Sequence, residues 1–255
     1  MTVGQLKTFR SIVLASVCAI PVAALWMVPR SWWALPLVAM LALMLVMRQL
    51  LVRMLKRLNH VGMELLDPEQ LAREAEDLYR ILRRPATGKN RNFIHRFEAL
   101  LYELRGEFGA AEEHAMQIAF GHPGMDDRVK WDLARLYLRQ GKPAMAQALI
   151  RQLMQTKPAF LETARASQLH ILGLNHLEQG DCRQAEERLQ AALGLAAKGL
   201  TRLNCLYDLA RFYGRQGETE KALLHYRLAA ELGPKTWLGR ESMAAAGGPS
   251  PRTGT

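Results

Sequence analysis

Seven histidines and three cysteines are the side chains of this 255-residue chain best suited to nucleophilic, acid–base or metal chemistry, and their spacing offers none of these a ready site. No H-E-x-x-H occurs. His170 and His176 stand six apart, a spacing that does not bring two ligands to one helical face. Glu113 and His114 are adjacent and leave a helix in different directions. Gly88-Lys89 is followed by Asn90 and lacks the upstream glycine of a phosphate-binding loop. Cys18, Cys182 and Cys205 form no C-x-x-C. Cys18 lies in an apolar run, and the other two are too few to suggest a disulfide framework, so both are expected to be small core residues. No nucleophile–base pair is visible. The expectation is a protein that is not an enzyme, with no catalytic residue, no cofactor and no metal.

The net charge of +10 admits nucleic acid, anionic lipid or an acidic protein as partner. Position along the chain separates them. Ser11 to Val28 and Ser31 to Met47 carry no charge, and only Pro29 and Arg30 divide them. At 18 and 17 residues, each run is near the lower limit for crossing a bilayer core of about 30 Å. Trp26, Trp32 and Trp33 flank the turn, where indoles favour the lipid–water interface. A cleaved signal peptide fits Lys7, Arg10 and the first run but not the second. A buried soluble hairpin would need a core on every side of two charge-free helices. Lys7, Arg10, Arg48, Arg53, Lys56 and Arg57 flank the pair, against Arg30 alone at the turn. The positive-inside rule therefore predicts both termini in the cytoplasm.

Beyond the apolar runs, Leu50, Leu51, Met54, Leu55, Leu58 and Val61 extend the second helix out of the membrane. Asp67-Pro68 signals a new helix, an N-cap acid with proline at the first turn. Leu71, Ala75, Leu78 and Leu82 recur at helical spacing on one face. Arg83 to Gly88 closes that segment, and Lys89 and Arg91 prolong its basic character toward anionic headgroups.

The chain then repeats itself. Leu133-Ala134-x-x-Tyr137-x-x-x-Gly141, with Ala146 and Pro158, returns at identical offsets as Leu209-Ala210-x-x-Tyr213-x-x-x-Gly217, with Ala222 and Pro234. Leu172-Gly173, His176, Gly180, Ala185 and Ala197 hold the same frame. So do Ala99, Tyr102, Gly106, Ala111 and Pro123, with Glu98 in the leucine slot. The turn glycines stand 35, 39 and 37 residues apart. The frame resembles the tetratricopeptide repeat (TPR) over Arg91 to Lys235. One departure is consistent: the second-helix aromatic survives only as Tyr226, with Ala115, Ile150 and Leu189 in that slot elsewhere. Small residues let paired helices approach, glycines permit the turn, and stacked pairs bury faces that no single pair could cover.

The apolar runs and the resemblance together lead to the expectation of an all-α fold, an N-terminal transmembrane helical hairpin followed by a TPR α-solenoid of about four repeats. Residues 1–52 form the N-terminal segment and two transmembrane helices, and 53–90 an amphipathic helical linker or capping unit. Residues 91–236 form the solenoid, and 237–255 an end helix, with Trp237 and Leu238 over its open end, and a disordered tail. In architecture the chain is similar to the exopolysaccharide accessory protein PelE and to HemY-like membrane proteins. The family's inward face implies a peptide-binding groove from Arg96, Trp131, Arg135, Arg139, His170, Tyr207, Arg211 and Arg215. Arginine forks there suit carboxylates, so an acidic segment of a membrane-associated protein is the expected partner, with Arg135 and Arg211 exposed. Arg96 and Leu100 stand where chaperone-binding members carry a lysine–asparagine pair, which excludes chaperone tails as the expected ligand. The expected function is a membrane-anchored protein–protein interaction scaffold at the cytoplasmic membrane. Two alternatives are a regulatory subunit of a membrane enzyme such as an exopolysaccharide synthase, and a basic solenoid for nucleic acid. The last lacks the regular polar code such repeats need.

Overall fold

The computed structural model describes residues 34–82, 88–119, 127–155 and 162–247. Every regular element among them is helical, in keeping with the all-α expectation. The first apolar run lies outside the described residues, and with it the proposed hairpin partner. The chain forms two compact units, one through Arg57 and one from Leu58 onward.

Helix α1 spans Ala34–His60. Apart from Pro36 in the first turn, where proline is tolerated, its first turns are Leu, Val, Met and Ala, without charge until Arg48 and so without a polar face. Leu37, Val38, Leu41 and Met44 are each 60–64 % exposed. The segment Leu37–Leu65 is long and apolar enough to cross a membrane.

The second unit includes a π-helical turn, Val61–Leu65, that ends in Leu66 with a left-handed backbone (φ 56°). Helix α2, Pro68–Leu82, begins where the sequence predicts it. Asp67 Oδ1 accepts from the backbone N–H of Glu69 (3.1 Å) and Gln70 (3.0 Å), satisfying donors that a helix start leaves open. Leu71, Ala75 and Leu78 are buried, as their spacing requires.

Four helix pairs follow: α3 (Gly88–Arg105) on α4 (Phe108–Ala119), α5 (Asp127–Arg139) on α6 (Pro143–Gln155), α7 (Glu162–Gln179) on α8 (Cys182–Leu195), and α9 (Gly199–Arg215) on α10 (Thr219–Leu232). The same turn joins each pair. Glu107, Lys142, Asp181 and Glu218 donate their N–H to the carbonyls of Tyr102, Tyr137, His176 and Tyr213 at 2.9–3.0 Å. The preceding glycines, Gly106, Gly141, Gly180 and Gly217, sit at φ 68–86°. These are the two marks of a Schellman helix stop, which glycine adopts without a Cβ penalty. Ala111, Ala146, Ala185 and Ala222 then donate the first bonds of each second helix.

Those alanines are 0–6 % exposed, as are Leu133, Ala134, Leu209 and Ala210 of the first helices. Any Cβ on Gly173 would lie 2.8 Å from Leu189 Cγ, so the third pair packs backbone against side chain. Ala115, Ile150 and Leu189, in the slot where the family carries an aromatic, are buried too. Each fully buried leucine contributes about 1.5–3 kcal/mol. Cys205 is buried, but Cys182 is exposed at the start of α8, contrary to its expected core place. It follows N-cap Asp181 in the first turn, where the helix faces solvent.

The last helix, α11 (Trp237–Ala245), does not simply cover the end of the final pair. It packs on α10 and α9 and also returns to α3. The Trp237 ring meets Phe108 edge-on at 5.1 Å and leaves no space for a side chain at Gly106. The π turn packs on α9, α2 and α3, and the Met63 carbonyl closes on Gly199.

Candidate functional site

The first helices α5, α7 and α9 carry most of the residues assigned to the groove, and the structure brings most of these together. Arg139 of α5 forms a fork on Asp208 of α9: Nη1 to Oδ1 at 2.6 Å and Nη2 to Oδ2 at 2.7 Å. Its Nη2 also donates to Asn204 Oδ1 at 2.9 Å, and its guanidinium lies 5.1 Å from the Tyr207 ring centre. His170 of α7 meets Asp208 Oδ2 at 2.7 Å. Arg211 adds a longer contact to Oδ1 at 3.4 Å and binds Glu178 at 3.2 Å, and Arg215 joins Glu178 at 3.3 Å. Three consecutive first helices thus converge on one carboxylate.

That convergence is dry. The side chains of Arg139, His170 and Asp208 are 4 %, 1 % and 0 % exposed. Burial by itself would raise the Asp208 pKa, but Arg139 and His170 outweigh it and hold the carboxyl well below its ordinary range. Burial lowers the His170 pKa against the pull of Asp208. Its Nδ1 has no hydrogen-bond partner among the described residues. His170 Nε2–H donates to the Asp208 carboxylate, which only accepts when ionised. A second buried pair lies alongside: Arg135 Nη2 bonds Glu103 and Asp132, both at 3.0 Å. Burial pushes the Glu103 carboxyl above its ordinary range despite Arg135, whose charge it shares with Asp132.

The expected exposure of Arg135 is therefore corrected: it is 4 % exposed, and Trp131 beside it is 3 % exposed. Arg96 is half-buried on α3. Of the named groove residues, Tyr207, Arg211 and Arg215 keep appreciable surface on α9. The acids explain the difference. Glu103, Asp132, Glu178 and Asp208 stand along the first helices α3, α5, α7 and α9, where they neutralise Arg135, Arg139, Arg211 and Arg215. The space between α3, α5 and α9 is also occupied. Leu104, Phe108, Leu200, Leu203 and Leu238 close it to a crevice too narrow for water.

A second polar cluster lies within the first pair and escaped the sequence reading. His95 and Glu98 of α3 face His114 of α4. His95 Nδ1 is 3.0 Å from His114 Nδ1, which is 2.9 Å from Glu98 Oε2, and His95 Nδ1 is 3.5 Å from that oxygen. The three side chains are 20–25 % exposed. Tyr102 stacks on the His114 ring at 5.4 Å. Burial raises the Glu98 pKa and lowers that of His114. The signal available in sequence was Glu98 itself, a carboxylate in the slot where the other copies carry leucine.

Residues 128–152, covering α5 and most of α6, match the tetratricopeptide repeat family. No curated protein matches the chain. The match supports the TPR family, whose repeats generally mediate protein–protein interaction and are typically non-catalytic.

Proposed function

We propose that this chain is a non-catalytic scaffold, held at the cytoplasmic membrane by its N-terminal apolar helices, that binds protein partners through a TPR solenoid over residues 91–236. The single observation that supports it most is the turn repeated four times with the same hydrogen bonds, one copy of which overlaps the family match. A surface made of stacked helix pairs offers an extended docking face and no catalytic constellation. The exposed apolar side chains of α1 support a bilayer anchor. The basic flanks of the two apolar runs put both termini and the repeats in the cytoplasm.

Arg135, Arg139 and His170 hold the array together, and ligand contact falls to the accessible α9 surface of Tyr207, Arg211 and Arg215. Its basic groups beside an aromatic suit an acidic segment of a membrane-associated protein. Affinity purification of the full chain from detergent extract, with nuclease treatment as control, tests this. Protein partners should survive the nuclease and be lost from an Arg211→Ala/Arg215→Ala variant of unchanged helicity. Retention of nucleic acid alone would overturn the scaffold assignment. Retention of every partner by the variant would move the binding face elsewhere.

A further inference from the structure

The cluster in the first helix pair has the composition and spacing of a metal site. A tetrahedral Zn²⁺ with ligand bonds of about 2.0–2.1 Å needs neighbouring donor atoms about 3.3 Å apart. The three edges here are 3.0, 2.9 and 3.5 Å.

Each corner of that triangle is an atom able to ligate a cation, two imidazole Nδ1 atoms and one carboxylate oxygen, and a single ion set among them would be shared by all three.

The repeat frame adds a second observation. At the position of Glu98, the second and fourth pairs carry Leu133 and Leu209, both fully buried core residues. Only the first pair places a carboxylate in that slot, and it does so where two imidazoles from both helices meet it. Tyr102, stacked on His114, fixes the ring that must cross from α4.

We infer that His95, Glu98 and His114 form a binding site for a late first-row divalent cation, Zn²⁺ above all, bridging α3 and α4. Two imidazoles and one carboxylate are a ligand set typical of zinc, with water in the fourth position on the exposed side. The site is independent of the scaffold function and adds a metal-held brace to the first pair.

The test uses the full chain in detergent, without an affinity tag and stripped by chelator. Zn²⁺ is titrated in competition with a chromophoric chelator, and Co²⁺ is added separately to read coordination from its visible absorption. One Zn²⁺ per chain and a tetrahedral Co²⁺ spectrum are expected. Glu98→Gln, His95→Gln and His114→Gln should each lower the Zn²⁺ affinity at least tenfold, with circular dichroism unchanged. Cys182→Ser, which removes the exposed thiol, should leave it unaltered. Absence of stoichiometric binding would overturn the site. So would affinity unchanged in Glu98→Gln, the substitution closest in shape to its native side chain.

Discussion

Two clusters in this molecule combine histidine with carboxylate and differ in what completes them. Around Asp208 the set includes Arg139, and both carboxylate oxygens have a donor at 2.6–2.7 Å with solvent excluded. Around Glu98 the set is two imidazoles, three atoms that can each bind a cation converge, and about a fifth to a quarter of each side chain remains open. An arginine fork brings a permanent positive charge and five donors, so it finishes a buried acid. Two imidazoles bring nitrogen lone pairs, so they leave a place for a cation. The lesson is that histidine–carboxylate contacts take their character from the third partner.

The largest effect expected from breaking this contrast is at the buried hub. Asp208→Ala should cost about 3–5 kcal/mol, because Arg139 is left buried without its counter-charge. Denaturant unfolding of the full chain, followed by circular dichroism, measures it. Combining Asp208→Leu with Arg139→Met should recover most of the loss, since a buried ion pair can be replaced by packed apolar groups of similar volume. A double variant as unstable as Asp208→Ala would show that the hub stabilises by more than charge balance.

An intermediate effect is expected from pH. The folded-state pKa of His170 is lowered, so its contribution is complete above the unfolded value of about 6.5 and is lost as pH falls below it. In that window the unfolded chain takes up a proton that the folded chain refuses. The slope for one such group is at most about 1.4 kcal/mol per pH unit. Wild-type stability should therefore drop between pH 7 and 5, and His170→Asn should drop less steeply. Burial lowers His114 in the same sense, so part of the slope should remain in that variant. Asp208, also lowered, contributes its loss only below the ordinary carboxylate range.

The smallest effects belong to the open groups. In metal-free protein, Glu98→Gln should change stability by about 1 kcal/mol or less, and Arg215→Ala by about the same, as part-exposed ion pairs do. Thermal melts of the two variants beside wild type measure this. A loss at Glu98→Gln as large as that of Asp208→Ala would erase the distinction between a finished and an open cluster.

Much of the fold was legible because local chemistry dictates it. A glycine at positive φ with a small residue five further on fixes the paired-helix turn, and that pattern recurs at Gly106, Gly141, Gly180 and Gly217. Asp67-Pro68 announced α2 for an equally local reason. The site was less legible because it depends on partners far along the chain. Arg139 and Asp208 lie 69 residues apart, and nothing near either one names the other. His95 and Glu98 share a helix face three apart, but their third partner, His114, belongs to the next helix. The return of α11 to α3 left no periodic signature at all.

That return changes how the array responds to force and to synthesis. A linear stack of helix pairs extends like a spring and can lose its ends one at a time, because each pair leans only on its neighbours. Here Trp237 is wedged against Phe108 and Gly106, so the earliest pair and the final helix hold one another. The spring is clasped. Its ends cannot fray independently, and a chain emerging from the ribosome keeps its first pair unclasped until its final helix has been made.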